Sequence, residues 1–158
     1  MALPGIDAPN VQLSGIHAIS ESDIWAVGYR SVPGTSKDAT LTMQWNGSEW
    51  SVVPSPNGPD TPTSKSQLYA VSGSAQGDVW AVGAYAEESA HFKSLGMRWD
   101  GTAWRIVETP NPGKLNNVLN DVTVVAPDDV WVVGSSLSSE VEDPLTLALL
   151  YIGTGWTR

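Results

Sequence analysis

At 158 residues, with 41% hydrophobic and 16% charged side chains, the chain has the composition of a globular protein rather than a disordered one. Its net charge of −9 sets it against nucleic acid and anionic membrane surfaces, which carry the same sign, and the lack of cysteine removes disulfides and thiolate chemistry. No apolar run approaches the roughly 18 residues of a membrane span. The opening Met-Ala-Leu-Pro-Gly-Ile-Asp has neither the basic nor the apolar region of a signal peptide, so the compartment is left open, an extracytoplasmic one with an export signal outside this sequence included.

The first predicted strand covers residues 15–20. After a turn comes Asp-Ile-Trp-Ala-Val-Gly at 23–28, rich in β-branched and aromatic residues and stopped by glycine. Residues 39–45 alternate polar and apolar at the period of a strand. Asn46-Gly47 then supplies the two-residue signal of a type I′ hairpin, and a fourth strand starts near Trp50 and ends at proline. The same four-part order returns at 67–72, Asp-Val-Trp-Ala-Val-Gly at 78–83, 94–99 and Trp104, with Asp100-Gly101 at the hairpin. It returns again at 121–126, Asp-Val-Trp-Val-Val-Gly at 129–134, 145–151 and Trp156.

Trp25, Trp80 and Trp131 are thus 55 and 51 residues apart, and all eight tryptophans occupy repeated positions. The other two sets are Trp45, Trp99 and Tyr151, then Trp50, Trp104 and Trp156. A residue type confined to repeat positions points to packing between repeats, with stacking on sugars as the competing use. Four sequential strands per unit, at this period and without helical periodicity, predict an all-β propeller. Its three blades run from about 12 to 56, 66 to 110 and 118 to 158. The paired motifs Asp-x-Trp-Ala-Val-Gly and Trp-Asn-Gly-Ser-x-Trp resemble bacterial propeller repeats related to kelch, tectonin and photosystem-assembly-factor propellers. That resemblance spans nearly the whole chain; it implies the architecture and leaves the function open.

The two ends complement one another. A proline falls six positions after Trp50 and after Trp104, whereas only Thr157 and Arg158 follow Trp156. Appending the Ala2, Leu3 and Pro4 of a second chain restores the spacing, so the third repeat is expected to be completed by residues 1–4 of a partner. Propellers use about four to eight blades, and three leave apolar flanks and a strand edge open. The expectation is a homodimer closing as a six-bladed ring. A nine-bladed ring of three chains and a slice of a longer propeller satisfy the same join.

Little in the sequence suggests catalysis. His17 and His91 lie in different repeats, and with no cysteine they make no metal site; no phosphate loop or nucleophile motif occurs, and no cofactor is implied. Asp23, Asp78 and Asp129 each precede a repeat tryptophan by two positions and are expected to hydrogen-bond their own turns. Recognition is expected on the face that carries the inserts 29–38, 84–93 and 135–144, with Tyr29, Arg30, Tyr85, Glu87 and His91 as candidate contacts to a glycan or protein ligand. The resulting reading is a non-enzymatic binding or assembly scaffold. A multivalent lectin is the first alternative, the resemblance to tectonin-type lectins implying it, and a propeller hydrolase or lyase is the second.

Overall fold

Strands account for all regular structure in the computed structural model, which describes residues 6, 8–59, 61, 63–86, 91–141 and 143–158. They form three successive antiparallel meanders. The first comprises β1 (Val11–Ser20), β2 (Asp23–Ser31), β3 (Asp38–Trp45) and β4 (Trp50–Val53). The second comprises β5 (Lys65–Ala75), β6 (Asp78–Ala86), β7 (Phe92–Trp99) and β8 (Trp104–Val107). The third comprises β9 (Asn116–Ala126), β10 (Asp129–Leu137), β11 (Leu145–Tyr151) and β12 (Trp156–Thr157). Register repeats as well: Trp25 pairs with His17 and Gln44, Trp80 with Ser72 and Arg98, and Trp131 with Thr123 and Leu150. A single parallel bridge, Asp38 to Lys65, links the first two meanders.

β1, β5 and β9 begin four, two and five residues earlier than the apolar patterning predicts. The cause is a bulge in each. The ladder steps from Leu13–Gly28 to Gly15–Val27, from Leu68–Gly83 to Ala70–Val82, and from Leu119–Gly134 to Asp121–Val133. One extra residue inverts the in–out alternation, so the strand no longer reads with period two. The same bulge explains the glycine that ends every Asp-x-Trp motif. A Cβ on Gly28, Gly83 or Gly134 would land on the carbonyl oxygen of Gln12, Gln67 or Val118.

The β3–β4 and β7–β8 hairpins correct the expected type I′ turn. That turn needs positive φ at both central residues, whereas here only Gly47 and Gly101 have it, at 97° and 93°. Trp45 pairs with Trp50 and Trp99 with Trp104, so each loop holds four residues. The side chain before the glycine organises it. Asn46 Oδ1 accepts from the backbone N–H of Ser48 (2.9 Å) and Glu49 (3.0 Å), and Asp100 Oδ1 from those of Thr102 and Ala103 (both 2.9 Å). Hydrogen bonds from Thr102 and Arg105 hold the Asp100 carboxyl well below the usual carboxylate range.

The core lies between meanders. Trp25 and Val27 pack with Val71, Val79, Leu95, Met97 and Trp104 of the second unit. Trp80 and Val82 pack in the same way with Val122, Val130, Leu147 and Leu149 of the third. Each of the two internal junctions therefore buries an apolar face from both of the meanders that meet there, as stacked repeats require.

Two substitutions test this account by denaturant unfolding. Trp80→Ala empties a fully buried site and is expected to cost about 3–5 kcal/mol. Gly83→Ala forces a methyl onto a carbonyl at the bulge and is expected to cost about 1–3 kcal/mol or more. Changes under half a kcal/mol for either would contradict it.

Candidate interaction surfaces

Each tightly packed junction centres on one indole received by two rings of the next meander. The Trp25 ring lies 5.0 Å from Trp99 and 5.2 Å from Trp104, the second contact edge-on at 90°. At the next junction Trp80 lies 4.9 Å from Tyr151 and 5.7 Å from Trp156, the latter at 85°. The receiving rings are 6.0 Å apart at 53° in the second meander and 5.3 Å apart at 59° in the third. The indole N–H groups of Trp25, Trp80, Trp104 and Trp156 have no oxygen acceptor among the described residues, and edge-to-face packing aims ring edges at π faces instead. Tyr151 fills a tryptophan position and uses its extra hydroxyl locally, donating to Gly153 O at 2.8 Å.

The first meander carries the same receiving pair. Trp45 and Trp50 are 6.0 Å apart at 47°, and no third ring joins them among the described residues. At the opposite end Trp131 is 47% exposed, whereas Trp25 and Trp80 are 0% exposed. Its neighbour follows suit. Val133 is 49% exposed against 0% for Val27 and Val82; back at the first meander, Ile16 is 69% exposed against 7% and 5% for its counterparts Val71 and Val122. Ile6 packs against the cluster of Ala26, Leu41 and Met43 beside Trp50.

Polar links between meanders stop at the same places. His17 Nε2 donates to Gly73 O at 3.0 Å, and Ser72 Oγ accepts from Val124 N at 3.1 Å, while the equivalent Thr123 is exposed. A second repeated element straps the start of the third strand in the first two meanders. Asn57 Oδ1 accepts from Thr40 N and Asn111 Oδ1 from Ser94 N, both at 2.8 Å. Thr40 and Ser94 are buried under these straps, whereas the equivalent Thr146 is exposed. β12 has two residues where β4 and β8 have four. Ala2, Leu3 and Pro4, assigned to its completion, lie outside the described residues; Thr157 and Arg158 are exposed beside the half-buried Trp156.

The candidate recognition residues do not share one site. Tyr29 and Arg30 end β2 and Tyr85 ends β6, so they stand on strands rather than in the inserts; His91 is half-buried just before β7, and Glu87 lies outside the described residues. Tyr29 lines a cavity of about 600 Å³ with Asn10, Gln12, Asp38, Lys65 and Gln67. Tyr85 lines a separate groove of about 700 Å³ with Gly58, Ile106, Glu108 and Trp156, and Lys93 Nζ sits 6.0 Å from its ring. Sequence reading missed Asp38, Gln67 and Tyr69, which form a hydrogen-bonded set of their own beside Tyr29 at the first junction. Tyr29 donates to Gln12 Oε1 (2.9 Å) and Tyr69 to Gln67 Oε1 (3.0 Å), while Gln67 Nε2 and Ser31 Oγ donate to the two Asp38 oxygens (2.9 and 3.0 Å).

Asp78 bonds its own turn through Ser74, as expected, and both Asp23 and Asp78 also reach beyond their turns. Gln44 Nε2 donates to Asp23 at 2.9 Å and Arg98 Nε to Asp78 at 3.0 Å, both from the third strand; Asp78 also accepts from Ser74 at 2.6 Å. The side chain at position 44 or 98 is long enough to bridge two strands, and Leu150 at the equivalent position cannot donate.

These features define an all-β, propeller-like fold whose sheets pack face to face through aromatic boxes. A solved structure described as YCF48 bound to D1 peptide matches it with a TM-score of 0.57 and 13% identity, over 99% of this chain and 46% of that one. This chain therefore spans about half the length of that structure, and at such low identity the likeness speaks for the fold. No protein-family model and no curated protein matches the sequence.

Burial, then the neighbouring Tyr29 and Asp38, push the Tyr69 hydroxyl above its ordinary 10.0. A raised folded value favours the neutral form. Its contribution to stability is complete below the unfolded pKa near 10 and is lost as pH rises through the folded one. In an ultraviolet titration Tyr69 is expected to ionise late, and Asp38→Asn to lower its midpoint without restoring the ordinary value. A Tyr69 midpoint that Asp38→Asn leaves unmoved would remove the electrostatic link.

Proposed function

We propose that the chain is a non-enzymatic β-propeller scaffold of three blades, β1–β4, β5–β8 and β9–β12, and that two copies close head to tail into a six-bladed ring which binds a protein segment. One observation carries the closure: Trp131 and Val133 on one side and Ile16 on the other are open where their counterparts at the internal junctions are sealed, although Ala26, Leu41 and Met43 stay buried under Ile6. Open apolar faces of this kind associate or aggregate, and a twofold axis satisfies both at once. The match to about half of a longer chain of similar fold agrees with a half-ring. Residues 1–4 of the partner would extend β12 to the four-residue length of β4 and β8.

YCF48, in the matching structure, is bound to a peptide, and the rim of the first junction offers a place for one here. Tyr29, Asp38, Lys65 and Gln67 line that cavity. The register places Ala84, Phe92, Asn116 and Val118 at the equivalent points of the second junction. The fold is thus built without the polar set, and the polar set is free to serve recognition.

Sedimentation or light scattering should give twice the 16.8 kDa of one chain. Val133→Asp should convert the dimer to a folded monomer; a well-folded monomer from the unaltered chain refutes the ring. Peptides selected from a displayed random library should lose affinity about tenfold on Tyr29→Ala, the scale of one interface contact, with the mass unchanged. Binding indifferent to Tyr29→Ala and to Lys65→Ala would move recognition elsewhere.

A further inference from the structure

Resting on the ring reading above, we infer that the joint between copies is an aromatic lock: Trp131 of one copy enters the Trp45–Trp50 pair of the next, and the Thr123 hydroxyl bonds to the backbone at Ala18. The partner is a second copy of this chain, and the surface is specified residue by residue.

The inference extends a rule that the molecule states twice. At each internal junction the indole at one repeat position enters the ring pair of the following meander, Trp25 into Trp99 and Trp104, Trp80 into Tyr151 and Trp156. Advancing once more leaves Trp131 with no following meander in its own chain. It also leaves Trp45 and Trp50 with no preceding one. The unfilled pair has the geometry of a filled one, 6.0 Å and 47° against 6.0 Å and 53° for Trp99 and Trp104. The ring pair is therefore preformed, while the cluster beside it, Ala26, Leu41 and Met43, is already buried with Ile6 against it, so docking adds the indole next to an existing cover rather than onto an open floor.

The polar rule advances in the same register. The His17 position bonds to the backbone one step further along the next inner strand, His17 to Gly73 and Ser72 to Val124. The third member is Thr123, and the residue one step beyond His17 is Ala18. Ile6 lies on the cluster of Ala26, Leu41 and Met43 beside Trp50 and contributes no ring to the pair. Indole and socket stand at opposite ends of the chain, so each copy gives one and receives one. The lock fixes direction as well as affinity: two copies joined back to back would set indole against indole.

Four measurements test it against the ring reading. First, Trp131→Ala should raise the dimer dissociation constant at least about 30-fold, the loss expected of a buried aromatic hot spot. Trp131→Phe should recover part of that loss. Because Trp131 is half-exposed in the single chain, the variant should keep the far-ultraviolet circular dichroism and monomer unfolding of the parent. Second, mixing Trp131→Ala with Trp50→Ala chains should yield heterodimers in preference to either homodimer, since only the heterodimer contains one intact box. Third, in this cysteine-free chain a Thr123→Cys, Ala18→Cys variant should form intermolecular disulfides. Fourth, the mass of the unaltered chain separates the two ideas. A monomer sinks the ring and the lock together. A dimer that Trp131→Ala leaves intact, with no heterodimer preference and no Thr123–Ala18 crosslink, sinks the lock and leaves the ring standing.

Discussion

An indole held edge-on by two rings of the next sheet is the contact on which this architecture depends. It is the largest side chain buried at each junction, and its geometry is directional, with aromatic pairs contributing about 0.5–1.5 kcal/mol beyond the area they hide. Trp25 and Trp80 are both fully buried in such boxes. The rest of each motif serves that placement. The glycine that closes each motif lets the second strand lie against a bulged first strand. The aspartate two positions before the tryptophan is tied to the third strand by Gln44 or Arg98. Arg98 also lies 5.6 Å from the Trp80 ring, so one guanidinium serves the ion pair and the indole together.

A junction made of a plug and a socket is polar in the topological sense. Stacked copies keep one direction, and a stack of any finite length ends with a plug at one side and a socket at the other. Repeat arrays commonly cover such ends with capping units that have a polar outer face. Here Trp131, Val133 and Ile16 are apolar and open. The two end faces differ in cover: Trp131 and Val133 stand open at one, whereas at the other Ile16 is open and Ala26, Leu41 and Met43 are buried with Ile6 against them.

The repeat pattern is legible in the sequence because it rests on residues with few alternative uses. Tryptophan at fixed spacing and glycine at a strand end carry information that survives the divergence of everything between them. The first strands read short because the bulges at Ser14, Tyr69 and Asn120 shift the alternation on which strand recognition relies. The hairpins mislead because Asn-Gly and Asp-Gly fit a tight turn equally well. What decides against it is an Asn46 or Asp100 side chain that closes a four-residue loop. The polar set around Tyr29 and Asp38 is not legible at all. Its members are scattered from Gln12 to Tyr69, and only the packing of two meanders brings them together.

Internal repetition also separates what the fold demands from what it merely tolerates. At the first junction Tyr29, Ser31 and Asp38 face Lys65 and Gln67; register places Ala84, Ala86, Phe92, Asn116 and Val118 at the equivalent points of the second. Both junctions pack the same aromatic box, so the box does not require the polar set. Seating a carboxylate that is 9% exposed carries a desolvation cost, which two donated hydrogen bonds offset. The second junction avoids that cost with small and apolar side chains, and Phe92 N is bonded by Asn116 Oδ1 at 2.8 Å instead. A network that must be fully satisfied to be neutral, at a position where the same fold manages without it, is one the junction tolerates rather than requires.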